Sequence, residues 1–325
     1  MDRVDHFRES VWRRVRCEVM EFSALFPFCG LGAGARGFLD ARVEILGVES
    51  SFRSLGGIDI DPEACVDFER LTGSPALCAD IATLTPAELR SFCPECPDVV
   101  FSSPPCTGFS GLLSKASARK EKYQRLNRLV VQWLELVMAT WKDRPRLILI
   151  ENVPRIASRG AGLLRRVRSL LHKEGYVFSA GTHDCGELGG LAQHRVRYFL
   201  VARHPGRCPP LLYQPPKRRV RGCGEVLEQL PLPGTVEAES AGPMHRLPRL
   251  SWVNWVRLAL TPAGATSQTR LATDVSHANY RGVYGVRPWV KPSGTVMGEL
   301  APSNGEFSVA DPRLSDRPGR YQNKY

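Results

Sequence analysis

Cys106 stands at the end of the run Ser102-Ser103-Pro104-Pro105-Cys106, directly after an apolar stretch from Asp98 to Phe101. Two prolines stiffen the approach and place the thiol where a strand leaves its sheet. A free cysteine is only about a few per cent thiolate at neutral pH, yet that thiolate is a strong nucleophile, so the position suits covalent addition. A second apolar stretch, Ile148-Leu149-Ile150, ends in Glu151-Asn152. A carboxyl partly desolvated at such a tip is suited to donate a proton. Gln193-His194-Arg195-Val196-Arg197 opens a third stretch. Residues two apart on a strand share a face, so Arg195 and Arg197 are expected to point together toward an anion or a carbonyl oxygen. Each motif alone also has a plain structural reading: a buried cysteine in a proline-rich bend, a helix-capping acid, a solvated strand edge.

A fourth constellation suits binding rather than bond-making. Phe28-Cys29-Gly30-Leu31-Gly32-Ala33-Gly34 follows a first apolar stretch and opens into a helical pattern at Ala35–Asp40. Glycines there permit a tight turn and close backbone approach to a ligand, although a glycine-rich turn can be only a turn. Asp59, at the end of a second stretch, is an acid placed to accept hydrogen bonds from ribose hydroxyls. Its separation from Gly30 exceeds the usual interval of about 20 residues, which predicts an inserted loop around Glu44–Gly57. Cys78-Ala79-Asp80-Ile81 adds another acid and an apolar side chain suited to a purine. Three successive strand ends with this chemistry point to an adenosine-containing cofactor.

Positioning these groups requires a sheet whose strands end on a common side. Short apolar runs predict strands at Phe22–Phe26, Leu55–Ile60, Asp98–Ser102, Leu147–Glu151 and Arg197–Val201. Between them, Leu, Val and Trp recur at three- and four-residue spacing over Tyr123–Trp141 and Gly162–His172, which predicts amphipathic helices. Alternation of this kind implies an α/β fold with a doubly wound, mostly parallel sheet, in which ligands collect beyond the carboxyl ends of the strands. After Arg203 the sequence becomes dense in Pro, Arg and Gly, and we place a boundary there. Residues 1–204 form the expected catalytic domain and 205–325 a smaller, irregular, basic and Pro-rich region. A short helix is expected within Leu247–Leu260, and Ser267–Tyr325 has no convincing period. Tyr280-Arg281-Gly282-Val283-Tyr284 resembles Tyr321-Gln322-Asn323-Lys324-Tyr325, as if the chain stopped where a second unit begins.

Composition narrows the partners. Lys+Arg 44 against Asp+Glu 33 in 325 residues gives a net charge of +11, which favours a polyanionic partner. Met1–Met20 has no apolar run fit for a signal peptide, and Leu129–Trp141 is too short and too interrupted to span a bilayer, so the expectation is a cytoplasmic protein with no membrane association. Ten cysteines without a secretory signal read as reduced thiols rather than five disulfides. Cys93-Pro94-Glu95-Cys96 has zinc-ligand spacing without a second pair, so no metal site is expected. His183-Asp184-Cys185 is expected in a surface loop, and Lys217–Arg221 as a phosphate-contacting or solvated arm.

Phe28-Cys29-Gly30-Leu31-Gly32, Pro105-Cys106, Glu151-Asn152-Val153 and Gln193-x-Arg195-x-Arg197 resemble, in order and context, the motifs of the cytosine-5 DNA methyltransferase family over roughly Ser23–Arg203. The middle region also resembles methyltransferases carried by phages and prophages. The resemblance implies a Rossmann-like domain and an S-adenosylmethionine donor. It also implies double-stranded DNA as substrate, with a cytosine flipped from the stack, in restriction-modification or phage DNA protection. It implies Cys106 as nucleophile, Glu151 as proton donor to the base, Asn152 as brace of the Pro105-Cys106 turn, and Arg195 or Arg197 on the base oxygen or a flanking phosphate. For the cofactor it implies Phe28, Gly30, Gly32 and Pro104 lining the methionine and adenosine side, Asp59 on ribose, Ile60 on adenine, and Asp80 with Ile81 at the purine. The loop Thr107–Lys120 would close over the extruded base. Thr107 stands where DNA enzymes usually carry Gln, which leaves tRNA open as substrate. The family's late motifs, an Arg-Leu-Gln-rich segment and a Gly-Asn-Ser/Ala-Val stretch, are not found. That leaves a truncated or inactive remnant, or an enzyme completed by a C-terminal fragment or second subunit, as alternatives.

Overall fold

The structure is a computed structural model. It describes residues 18–45, 47–106, 109, 120–210, 216–242, 245–266, 283–294 and 304–314. The first strand, β1 (Glu18–Pro27), is followed by α1 (Ala33–Asp40), β2 (Val43–Ile45), β3 (Val48–Asp59), α2 (Pro62–Thr72), β4 (Ala76–Cys78) and α3 (Pro86–Phe92). Then come β5 (Val99–Ser102), α4 (Glu121–Thr140), β6 (Leu147–Asn152), α5 (Ile156–Arg159), α6 (Ala161–Lys173), β7 (Val177–Asp184), α7 (Cys185–Gly189) and β8 (Val196–Arg203). These strands form one sheet in the order β2-β3-β1-β5-β6-β8-β7, with β4 paired to β3. Pairing is parallel for β3-β1, β1-β5, β5-β6 and β3-β4, and antiparallel for β6-β8.

Alternate residues of each central strand enter different cores, which is the signature of a sheet covered on both faces. Leu25, Val100, Ile148 and Ile150 join one cluster with Trp133, Leu134 and Val137 of α4 and Val167 and Leu171 of α6. Ala24, Phe26 and Val99 join the other, with Ala35 of α1 and Phe68 of α2. Parity on a strand thus assigns each side chain to a face. Full burial of a side chain such as Leu134 stabilises the fold by about 1.5–3 kcal/mol. The helices start where local chemistry directs: Asp61 accepts from the Glu63 amide at 3.0 Å with Pro62 in the first turn, and Thr85 and Glu88 form a reciprocal capping box.

Three expectations change. Glu44–Gly57 is not an inserted loop: β2 pairs antiparallel with the start of β3, Val43 against Ser50, so the extra residues lengthen the sheet as a hairpin. His183-Asp184-Cys185 is not a surface loop, because His183 and Asp184 end β7 and Cys185 opens α7, which Asp184 caps by accepting from Gly186 at 2.8 Å. Ser267–Tyr325 does contain regular structure: β9 (Val283–Pro288) and β10 (Asn304–Ala310) pair in parallel. Before them lie α8 (Gly224–Leu227) and, within the segment expected to be helical, α9 (Trp252–Ala259). The apparent tyrosine repeat lies largely outside the described residues, as does nearly all of the Thr107–Lys120 loop.

The chain divides into two compact units, one of Met1–Thr182 with Arg197–Tyr213 and the other of His183–Val196 with Gln214–Tyr325. The change of composition after Arg203 lies near the crossing at Tyr213. The excursion His183–Val196 has no compositional mark, and backbone bonds place it in the second unit: Arg218 N donates to Glu187 O at 2.6 Å and His194 N to Ser293 O at 2.9 Å. No helix among the described residues is long and apolar enough to cross a membrane.

Candidate functional site

The glycine turn begins one residue beyond β1. Phe28 has φ 55°, rare for a residue with a side chain, and Gly30 and Gly32 follow at 51° and 91°. Cys29 N donates to Ile58 O at 3.1 Å and Gly30 N to Asp59 Oδ2 at 2.8 Å, which ties the turn to the tip of β3. The two glycines serve different ends. A Cβ on Gly30 would meet nothing within 4 Å, so its backbone faces open space, whereas one on Gly32 would meet Phe68 at 3.0 Å and Thr72 at 3.2 Å. Burial pushes the Cys29 thiol up to about 12, with Asp59 and Cys65 adding to the effect.

Beyond the turn, Asp59 also accepts from Asp61 N through Oδ1 at 3.1 Å, so backbone amides engage both its carboxylate oxygens. Ile60 is 65 % exposed, an apolar side chain presented to solvent at a strand end. Asp80 accepts from Ala82 N at 2.9 Å. Ile81 is buried in the larger core, where it has little surface to offer a purine.

The second half of the site is assembled by strand direction. β5 and β6 run parallel, so Ser103 to Cys106 and Glu151-Asn152 emerge at the same end of the sheet. β8 runs against β6, with Asn152 opposite Tyr198 and Glu151 opposite Phe199, so the beginning of β8 meets the end of β6. Arg197 therefore reaches Glu151, Nε to Oε1 at 2.7 Å, in a pair whose side chains are only 13 % and 16 % exposed. Ser103 Oγ donates to the other carboxylate oxygen, Oε2. Asn152, 2 % exposed, donates from Nδ2 to Pro104 O at 3.2 Å and accepts from Val153 N at 2.9 Å. Its amide thus holds the bend two residues before Cys106. Cys106 is partly buried, and its carbonyl accepts from the amide of core residue Phe109 at 2.9 Å.

Within the first unit the structure brings together Cys106, Pro104, Glu151, Asn152 and Arg197 at one end of the sheet, and Phe28, Gly30, Gly32, Asp59 and Ile60 around the turn after β1. Arg195 is placed differently. It precedes the first residue of β8 and belongs to the second unit, where its amide donates to Asp184 Oδ1 at 3.0 Å. The alternation argument for a shared face with Arg197 therefore stops short of it. That Ser103 and Arg197 are the partners of Glu151 was absent from the sequence reading. Ser103 carried a signal, its place beside Pro104-Pro105-Cys106, but nothing in the sequence shows that β8 is antiparallel, which is what delivers Arg197.

A glycine turn after the first strand and a braced cysteine turn on a doubly wound sheet define a methyltransferase-type Rossmann-like domain. A family model described as C-5 cytosine-specific DNA methylase matches residues 22–220, and the chain belongs to that family. Among similar proteins, Type II methyltransferase M.AgeI of Thalassovita gelatinovora is 30 % identical over 212 residues, covering 63 % of this chain and 44 % of that protein. DNA (cytosine-5)-methyltransferase 1 of Mus musculus is 34 % identical over 121 residues, 36 % of this chain and 7 % of that protein. The chain thus spans less than half the length of either relative. Among solved structures, a putative DNA modification methyltransferase encoded within an E. coli prophage superposes with a TM-score of 0.60 at 16 % identity, covering 87 % of this chain and 84 % of that one. That likeness establishes the fold.

Proposed function

We propose that the chain transfers a methyl group from S-adenosylmethionine to carbon 5 of a cytosine in double-stranded DNA. The observation that carries this reading is the joint bracing of the cysteine bend by Asn152 and of Glu151 by Ser103 and Arg197, all at the end of the sheet where the parallel strands finish. The residues of the turn suit the cofactor: Gly30 faces open space, Asp59 is the acid tied to it, and Ile60 offers an uncovered apolar surface. Phe28, Gly32 and Pro104 would complete the cradle, with Asp80 at the purine edge and Ile81 supporting it from the core. When bound, S-adenosylmethionine supplies the electrophilic methyl group.

Carbon 5 of cytosine is a poor nucleophile until the ring is activated, and the chain's residues supply that activation. The Cys106 thiolate adds to carbon 6 while the Glu151 carboxyl gives a proton to ring nitrogen 3, so the charge pushed into the ring is neutralised and carbon 5 becomes an enamine carbon. Ser103 and Arg197 hold the two carboxyl oxygens and thereby fix the direction of that proton transfer. Once carbon 5 is methylated, its proton passes to solvent water, the sulfur of Cys106 is eliminated from carbon 6, and the proton on nitrogen 3 returns to Glu151. Arg195 or Arg197 is assigned to the base oxygen or a flanking phosphate. The target atom is inaccessible in a stacked duplex, so the base must leave the helix. The net charge of +11 suits the phosphate contacts such binding requires. The biological role inferred is marking DNA in a modification system.

The test is transfer of a radiolabelled methyl group from S-adenosylmethionine to mixed-sequence duplex DNA, with total tRNA in a parallel reaction. Label should appear on DNA and vanish with Cys106→Ser, while that variant still binds the cofactor. Survival of transfer in the variant would overturn the covalent route, and label on tRNA alone would move the substrate to RNA. Cofactor or DNA binding without transfer would identify a chain that needs a further fragment.

A further inference from the structure

The tip of β3, which the cofactor reading assigns to the adenosine, is flanked by two thiols that no step of the proposed reaction uses. Cys65, on α2, lies with its sulfur 3.7 Å from the Asp59 carbonyl oxygen. Cys78 is the last residue of β4, opposite Asp59 in the parallel register, and its sulfur lies 3.7 Å from the Ile60 carbonyl oxygen. Each thiol thus donates to one of two consecutive carbonyls, so that Cys65 from α2 and Cys78 from β4 converge on the same strand tip. They differ in access: Cys65 is 6 % exposed, while Cys78 faces solvent.

We propose that Cys65 and Cys78 are a modification site, a dithiol that a peroxide closes to a disulfide, and that closure loosens the β3 tip and weakens binding of the adenosine-bearing cofactor. The consequence for the cofactor rests on the function proposed above; the dithiol chemistry does not. Exposed Cys78 meets the oxidant first. Hydrogen peroxide takes two electrons from its sulfur, forming Cys78 S–OH and one water. The Cys65 sulfur then attacks the sulfenic sulfur, the S–S bond forms and a second water leaves, so the two thiol protons end in the two waters. Burial, with Cys78 and Asp59 adding to it, pushes the Cys65 thiol up to about 11, so Cys65 is not the first target of the oxidant. Closure removes both S–H donors at once, so the Asp59 and Ile60 carbonyls lose their sulfur partners just where Gly30 is tied to Asp59.

The experiment uses the full chain carrying Cys106→Ser, so that the catalytic thiol does not consume oxidant. The protein is treated with stoichiometric hydrogen peroxide, mapped for cross-linked peptides by mass spectrometry, and titrated with S-adenosylmethionine by calorimetry before oxidation, after it, and after dithiothreitol. The expected result is a Cys65–Cys78 link, a Kd roughly tenfold weaker, the equivalent of losing about 1.4 kcal/mol, and recovery on reduction. Adding Cys78→Ser should abolish both the link and the shift. Absence of the link, or oxidation of Cys78 to sulfinic acid without it, overturns the dithiol. A link with unchanged affinity overturns the coupling. A reduced protein that does not bind S-adenosylmethionine refutes the cofactor reading, while the peptide map still decides the dithiol.

Discussion

Asn152→Ala removes one side chain that serves two others. The amide is 2 % exposed, donates to Pro104 O at 3.2 Å and accepts from Val153 N at 2.9 Å, so truncation leaves a carbonyl and an N–H without partners at the end of the sheet. Each buried group orphaned in this way costs about 1–3 kcal/mol, and water entering the new space recovers part of it. The sum is about 2–4 kcal/mol, a large fraction of the roughly 5–15 kcal/mol that holds a domain folded. With a urea m-value near 3 kcal/mol/M, the midpoint should fall by about 1 M. Gln132→Ala, on the exposed side of α4, is the control and should stay within about 0.5 kcal/mol. Because the lost bond holds the bend before Cys106, methyl transfer should fall at least about tenfold in kcat at a temperature where the variant is folded, with little change in cofactor affinity. A stability loss below about 0.5 kcal/mol together with an unchanged kcat would refute the argument that this amide holds the cysteine turn.

Two other perturbations test the scaffold. Burial opposes ionisation of Asp98, but the Ser23 amide at 3.0 Å and Arg146 at 2.6 Å more than offset it and hold the carboxyl below the usual range. The stability from this depressed pKa is therefore present above about pH 4, where the unfolded carboxyl is also ionised, and is lost as pH falls through the folded value. Asp98→Asn should flatten the acid limb of a stability-against-pH curve; an unchanged limb would exclude Asp98 as a source of it. Gly57→Ala would put a Cβ 2.7 Å from Cys29 Sγ and 2.8 Å from the Phe68 ring, an overpacking expected to cost about 1–3 kcal/mol. Since Cys29 is part of the glycine turn, S-adenosylmethionine affinity should fall with it, measured by calorimetry; a stable variant with native affinity would separate that turn from the cofactor.

The sheet was legible because its central strands are short continuous apolar runs. Val99, Val100 and Phe101, or Leu147 to Ile150, state both that a strand forms and that both its faces are covered, and the helical spacing after Tyr123 states what covers one of them. The hairpin of β2 and β3 was not legible, since Val43-Glu44-Ile45 is short and the extra length could as well have been loop. The second unit was hardest to read. It draws His183–Val196 from the middle of the chain, and such membership depends on bonds to residues about a hundred positions away, such as His194 N to Ser293 O.

By itself the sequence determined which chemistry the chain can offer: a thiol after two prolines, an acid and an amide at an apolar strand tip, and glycines where a backbone must turn. Those properties belong to residue types and short spacings, which local sterics settle. Only the tertiary structure decided which groups work on which. Arg197 meets Glu151 because β8 runs antiparallel to β6, Asn152 reaches Pro104 because β5 and β6 are neighbours, and Cys78 joins Cys65 at the tip of β3 because β4 pairs beside it. Strand order and direction arise from the burial of the whole sheet, a sum over many distant contacts that no window of neighbouring residues contains.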